Sequence, residues 1–192
     1  MAGGCIIWAN DALMINKRVE QLDQYDYQVE NYIEKRQTRY ALAIGQFLIN
    51  FSCLEHELGR GIAEIINERS HGAGYQVIRG LRFIAKVELF KDMYTSMILP
   101  IKPVFRGELS SIVKDLGALN KFRNQVAHSD WSTLTKDYYV RTSIITDDTD
   151  GYVKFQLVKM TPTLIKRYAK KVESVYNKLW KFVDNIQERV LS

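Results

Sequence analysis

The sequence is poor in the residues that build disulfide frameworks and metal sites. It has only two cysteines and three histidines among 192 residues. Cys5 and Cys53 lack the spacing of a Cys-x-x-Cys or zinc motif, and the histidines are scattered along the chain. The sequence therefore predicts no metal or other cofactor. It also favours a reducing compartment, which we interpret as the cytoplasm.

Long apolar runs and phosphate-binding glycine motifs are absent as well. The apolar run near the start covers only residues 5–9, far fewer than the ~20 residues needed to span a bilayer. No basic residue precedes it, so it makes a poor signal peptide. The patterns GxxxxGK[ST], GxGxxG and GxSxG do not occur. We therefore expect no membrane partner and none of the nucleotide-binding or hydrolase sites that these motifs build.

Positive charge is unevenly distributed along the chain. The net charge is +5, yet nine basic residues face only three acidic ones from Lys154 to the end, which leaves residues 1–153 close to neutral. A basic surface on a terminal helix could bind phosphates, although such residues more often form the solvated face of an amphipathic helix. The possible RNA-binding residues are Lys166, Arg167, Lys170 and Lys171.

Apolar spacing predicts a mainly α-helical protein. Apolar residues recur at intervals of three and four in five segments, which indicates helices over about 17–36, 38–69, 75–99, 105–128 and 162–190. Two β-branched and aromatic stretches, within about 138–159, flank a turn-rich segment and predict a β-hairpin. Residues 1–16 are unassigned. We therefore expect residues 17–192 to form one domain, an antiparallel bundle of four to five helices with a small β-hairpin insertion.

The fourth predicted helix ends in an unusual set of polar residues. Continuing its apolar stripe by threes and fours places Arg123 on the core-facing side. Asn120, Asn124 and His128 follow at intervals of four along one edge of that stripe. Polar groups against a buried face are costly unless they are satisfied. The ladder therefore indicates either a structural network or a functional site.

The residue types in this ladder suit cleavage of a phosphodiester bond. A histidine can act as general base or general acid near neutral pH, which fits His128. Arg123 can hold phosphate oxygens and stabilise the charge of a pentacoordinate transition state, and Asn124 can orient the histidine or the phosphate. An RNA substrate supplies its own nucleophile, the 2′-hydroxyl. Because one chain offers only one histidine here, acid and base roles together would need a two-fold dimer or another group.

Arg123-Asn124 followed by His128 resembles the Arg-x4-His motif of HEPN-domain proteins, in which a polar residue usually follows the arginine. The segments 51–55 and 119–131 resemble members associated with bacterial defence and abortive infection. This resemblance implies a metal-independent endoribonuclease, a dimer with a composite active site, and a catalytic set of Arg123, Asn124 and His128. It also implies that the protein could be a toxin or antiviral effector held by an inhibitory partner protein.

Two alternatives stay open beside the ribonuclease. Some HEPN-like proteins have lost activity and only bind RNA or protein, and the polar ladder could also be a satisfied structural network. Glu55 lies beside the apolar stripe of the second predicted helix, where Arg123 is a natural partner. Glu55 and Asn120 are therefore possible supporting residues. An Arg123–Glu55 pair without an open cleft would favour the structural network.

Overall fold

The computed structural model describes residues 14–18, 30–67, 70–128, 130–132, 139–146 and 153–187. The chain divides into two compact units. The sheet unit consists of residues 1–45 and 124–166, and the helical unit of residues 46–123 and 167–192. Most of the unassigned segment 1–16 lies outside the described residues. Its last three residues belong to a strand, β1, which spans Met14–Arg18.

The expectation of a mainly helical protein is confirmed. The described residues contain five α-helices, joined by a π-helical turn at Tyr94–Ile98 and a 3₁₀ turn at Pro103–Phe105. The α-helices are α1 (Glu30–Ile66), α2 (His71–Ile78), α3 (Phe83–Met93), α4 (Arg106–Ala127) and α5 (Pro162–Ile186). None of the helices described in the structure is both long and apolar enough to cross a bilayer.

Two predicted helix boundaries are wrong. The predicted helices at 17–36 and 38–69 are not separate, because α1 runs without interruption from Glu30 to Ile66. Residues 17–18 of the first predicted helix belong to β1, and residues 19–29 lie outside the described residues. The predicted helix at 75–99 is broken into α2 and α3. The break falls at residues 79–82, where Arg82 has an extended backbone (φ −66°, ψ 155°). Gly80 in this turn is the local signal, because glycine weakens a helix interior.

The helical unit has a core of aliphatic and aromatic side chains. α2 returns along α1 so closely that a Cβ on Gly74 would lie 2.5 Å from Ala63 Cα. A side chain larger than hydrogen does not fit there, so Gly74 permits this close approach of two helices. Fully buried members of the core include Phe47, Leu54, Leu58, Ile62, Phe90, Ile112, Leu116, Leu119, Leu179 and Phe182.

Contacts within the helical unit correct the expectation of a purely antiparallel bundle. α4 is antiparallel to α5, because Phe122 packs on Tyr168 while Phe105 packs on Phe182. α1 and α5 instead run in the same direction: Asn50 donates a hydrogen bond to Glu173, and further along both helices Arg60 pairs with Asp184. A parallel pair is possible because α1 and α5 are far apart in sequence and need no short connection.

The sheet unit contains a four-stranded antiparallel sheet in the order β1-β4-β3-β2. The other strands are β2 (Asp130–Ser132), β3 (Tyr139–Thr146) and β4 (Val153–Met160). An isolated β-hairpin insertion is therefore not supported, because β3 and β4 are the central strands of this larger sheet. β1 pairs with β4 from Met14 opposite Val158 to Arg18 opposite Lys154. The predicted turn between β3 and β4 lies outside the described residues.

The start of α5 is fixed as its sequence predicts. Pro162 is the first helical residue, and the Thr161 hydroxyl accepts a hydrogen bond from the Leu164 backbone N–H at 3.1 Å. Proline at the first position after a threonine cap is the expected helix start. The buried Tyr40 hydroxyl of α1 donates a hydrogen bond to the Met160 carbonyl just before this cap. The hydrogen bond ties the beginning of α1 to the end of β4 within the sheet unit.

Candidate functional site

The apolar stripe of α4 does not turn toward Arg123 as the spacing predicts. The buried positions near the end of the helix are Leu119, Phe122 and Val126. Arg123 is half-buried and Asn124 is exposed. Phenylalanine and valine at 122 and 126 continue the stripe at intervals of three and four, which displaces the polar residues to its edge. Arg123, which the spacing placed on the core-facing side, therefore lies at the edge of the buried face.

Arg123 lies over an aromatic ring of α1. Its guanidinium carbon is 5.3 Å from the centroid of the Phe51 ring, within the range of a cation–π contact. Among the described residues, no carboxylate pairs with Arg123. A guanidinium held on its face keeps its N–H donors at the edge, where a phosphate can accept them in a bidentate manner.

Phe122, the neighbour of Arg123, is firmly packed in the helical unit. Its ring stacks on Tyr168 at a centroid distance of 3.6 Å and meets the Phe47 ring edge-on at 5.1 Å. Aromatic contacts of this kind contribute beyond the area they bury. They fix the rotation of this part of α4 about its own axis, and with it the side on which Arg123 emerges.

Asn124 and His128 belong to the sheet unit, since the boundary between the units falls after Arg123. Both side chains are exposed. The His128 backbone N–H donates a hydrogen bond of 3.1 Å to the Asn124 carbonyl, which closes the last turn of α4. Within the described part of the chain, no hydrogen bond engages either side chain. The two residues lie one helical turn apart and their polar groups are accessible.

The possible supporting residues have other surroundings than expected. Glu55 does not pair with Arg123; its Oε1 accepts a hydrogen bond of 2.7 Å from Lys86 Nζ on α3. Arg123 instead lies over the ring of Phe51. Asn120 is half-buried on α4. The pair that would have marked Arg123 as part of a structural network is therefore not formed.

The four basic residues on α5 are all exposed. Lys171 Nζ lies 3.7 Å from a carboxylate oxygen of Asp115 on α4. Lys166 and Lys170 make no ion pair with any residue the structure describes. The apolar positions Val172, Val175 and Leu179 are buried instead, so α5 is amphipathic. The exposed basic face of α5 can be solvated by water or can bind a polyanion.

A second polar cluster in the helical unit was not anticipated. Arg60 on α1 donates hydrogen bonds to Glu57 at 2.6 Å, to Glu64 at 2.7 Å and to Asp184 of α5 at 3.0 Å. Glu57 and Glu64 are buried. The sequence did offer a signal, because glutamates three before and four after an arginine share its helix face. Asp184 is too far away in sequence to be found in this manner.

Opposing effects determine the charge of Arg60. Burial would lower the pKa of Arg60, but hydrogen bonds to Glu57 and Asp184 and the nearby charges raise that pKa well above its usual value. The arginine is therefore a permanent cation that holds three carboxylates. Together they hold more negative than positive charge, since one guanidinium faces three acids.

The described residues contain no group of three or more histidine, cysteine, aspartate or glutamate side chains placed to hold a metal ion. No family model matches the chain, and no curated protein or solved structure matches it. The assignment of function therefore depends on the residues themselves.

Proposed function

We propose that the protein is a metal-independent endoribonuclease of the HEPN type. The observation that supports this most is the accessibility of the motif at the end of α4. Asn124 and His128 are exposed, and Arg123 contacts an aromatic ring while its hydrogen-bond donors have no carboxylate partner among the described residues. In a structural network, neighbouring residues would be expected to engage these groups.

The reaction is an attack of the RNA 2′-hydroxyl on the adjacent phosphorus. A histidine takes the 2′ proton, the new P–O2′ bond forms, and the P–O5′ bond breaks. The departing 5′ oxygen takes a proton from an acid. The products are a 2′,3′-cyclic phosphate and a 5′-hydroxyl. Arg123 would bind the non-bridging oxygens as their negative charge grows, and Asn124 would orient His128 or the phosphate.

Proton transfer at both oxygens requires two groups, whereas each chain contributes one His128. We propose a homodimer in which two copies of the motif face one cleft. In this arrangement one His128 accepts the 2′ proton and the other donates to the leaving oxygen. The role as a toxin or antiviral effector, with an inhibitory partner protein in the cytoplasm, rests on the family resemblance alone.

The test is cleavage of mixed RNA by the full-length protein in EDTA. We expect His128→Ala to lower the rate by roughly 10²–10⁴-fold, the typical contribution of a general acid–base group. His56→Ala is the matched control, because His56 is an exposed histidine of α1 that stacks on Tyr75 at a centroid distance of 6.0 Å. Equal cleavage by wild type and His128→Ala would eliminate the catalytic proposal.

The second candidate function is a catalytically inactive HEPN-like module that binds RNA or a partner protein. The exposed basic residues of α5 favour it, because they could hold a polyanion without any chemistry. In this case wild type and His128→Ala would bind RNA equally and neither would cleave it. Lys166→Glu with Lys170→Glu would weaken that binding and reduce its dependence on salt.

A further inference from the structure

The helices α4 and α5 carry two rows of basic residues within the helical unit. Lys114 and Lys121 are exposed on α4 and lie seven residues apart. Seven residues are close to two helical turns, so these lysines share one face of α4 and are separated by about 10 Å along it. On α5, basic residues at intervals of four, seven and three form a second row on one face: Arg167, Lys171, Lys178 and Lys181. We call these six residues the basic groove.

Contacts between the two helices place the rows side by side. Lys178 Nζ donates a hydrogen bond to the Ser111 hydroxyl and lies 3.5 Å from Asp115 Oδ2. Lys171 Nζ lies 3.7 Å from Asp115 Oδ1. The edge of α4 that contains Ser111 and Asp115 therefore meets the basic row of α5. Lys114 lies next to Asp115 and three residues after Ser111, which places it on the solvent side of this edge.

Little negative charge opposes the basic groove. Asp115 is shared between Lys171 and Lys178. Both contacts are longer than ordinary hydrogen bonds and both lysines are partly exposed, so Asp115 neutralises them incompletely. The two acids of α5, Glu173 and Asp184, are held by side chains of α1. The groove therefore has a clear excess of positive charge, which attracts a polyanion.

The exposed apolar residues of α4 and α5 determine which polyanion fits the groove. Within the described residues, α4 exposes no large apolar side chain and α5 exposes one, Trp180. Trp180 lies seven residues after Glu173 and four before Asp184, so it belongs to the edge of α5 that faces α1 and not to the groove.

This lack of apolar anchors is informative about the partner. Peripheral binding to an anionic membrane uses apolar residues beside the cations, and a protein partner uses aromatic or aliphatic anchors. Single-stranded RNA stacks its bases on aromatic rings. Double-stranded RNA needs none of these groups, because its bases are paired and its phosphates face outward.

We propose that the basic groove binds the phosphate backbone of double-stranded RNA. Cations from both helices contact phosphates, so binding is independent of sequence and weakens as salt is added. The proposal rests on the proposed function in taking RNA as the ligand, but it requires neither cleavage nor the motif at the end of α4. It adds Lys114, Lys121, Lys178 and Lys181 to the candidate RNA-binding residues.

The experiment measures binding of a 2′-O-methyl RNA duplex of about 20 base pairs to the full-length protein, by fluorescence anisotropy at several salt concentrations. The methyl groups remove the nucleophile, so a protein that cannot cleave RNA can still bind this probe. Lys114→Gln with Lys121→Gln should weaken binding about tenfold and lower the slope of log Kd against log salt by about two, one for each lost phosphate contact.

Arg79→Gln with Lys91→Gln is the matched control for this double variant. Arg79 and Lys91 are exposed basic residues of the helical unit that lie outside the groove, and their replacement removes the same charge. The control should keep the wild-type affinity and slope. A slope that is unchanged in the folded Lys114→Gln, Lys121→Gln protein, or lowered equally in the control, would overturn the proposal.

Asp115→Asn tests the groove in the opposite direction. It releases Lys171 and Lys178 from their shared carboxylate, so the duplex should bind about threefold more tightly. Glu88→Gln, at an exposed acid of α3, changes the net charge equally and should leave the affinity unchanged. One strand of the duplex alone, and phosphatidylserine vesicles, should each bind more weakly than the duplex. Equal or tighter binding of either one would overturn the assignment to double-stranded RNA.

Discussion

Two half-buried arginines of the helical unit show opposite uses of the same side chain. Arg60 donates to three carboxylates, whereas Arg123 lies on the ring of Phe51 and has no carboxylate partner in the described part of the chain. A guanidinium whose nitrogens all donate to carboxylates stabilises the fold and is not available to a substrate. One that is held by its face remains available for an anion. The contrast separates a structural arginine from a candidate catalytic one.

The largest expected effect is on stability and concerns Arg60. Arg60→Ala leaves Glu57 and Glu64 buried without their cation, so the free energy of unfolding should fall by about 3–5 kcal/mol. Urea denaturation of the full-length protein measures this change. Arg123→Ala is the matched control and should cost about 0.5–1 kcal/mol, the value of an exposed cation–π contact. Equal destabilisation by the two variants would remove the distinction between the arginines.

The second effect is on cleavage and concerns Arg123. On the ribonuclease proposal, Arg123→Ala should lower the rate in EDTA by about 10²–10³-fold, as removal of one donor to a transition-state oxyanion does. Arg123→Lys should restore only part of the rate, because lysine keeps the charge and loses the planar fork. If Arg123→Ala cleaved RNA at the wild-type rate and a folded Arg60→Lys failed to cleave it, Arg60 and not Arg123 would be the arginine required for cleavage.

The third effect is smaller and depends on pH. Burial, followed by the charge of Glu64, raises the pKa of Tyr94 well above its usual value. In the unfolded chain this phenol ionises near pH 10, whereas in the folded protein it stays neutral. Stability contributed by Tyr94 is therefore present below pH 10 and is lost above it, by up to about 1.4 kcal/mol per pH unit.

Tyr94→Phe removes this alkaline loss. The free energy of unfolding, measured in urea at pH 9 and pH 11, should fall less in Tyr94→Phe than in wild type. At pH 9 the two proteins should differ little, because the hydrogen bond to Gly61 is long at 3.4 Å. An identical decrease in both proteins would mean that Glu64 and burial do not act on this hydroxyl.

Prediction from sequence succeeded where one helix could be judged by its own pattern. The apolar residues of α4 and α5 recur at intervals that only a helix satisfies, and the Thr161 cap placed the start of α5 within one residue. The sequence pattern did not predict contacts between segments that are far apart along the chain. β1 forms against β4, and Asp184 completes the Arg60 cluster, through pairings that no local pattern contains.

The error at the candidate site has the same origin. Spacing alone permitted either residue 122 or residue 123 to face the core, because both continue a three-four pattern. The rings of Phe47 and Tyr168 decide between them by enclosing Phe122. The residues of the motif could therefore be predicted, but their exposure could not.

The packing of Phe122 between two aromatic rings fixes the rotational orientation of α4. Because one ring held between two others prevents the helix from rotating about its axis, the direction of every side chain on that turn is set as well. A residue with no chemistry of its own thus determines where Arg123 presents its donors. Substitution of Phe122, Phe47 or Tyr168 could therefore abolish the activity of the motif although Arg123, Asn124 and His128 are all unchanged.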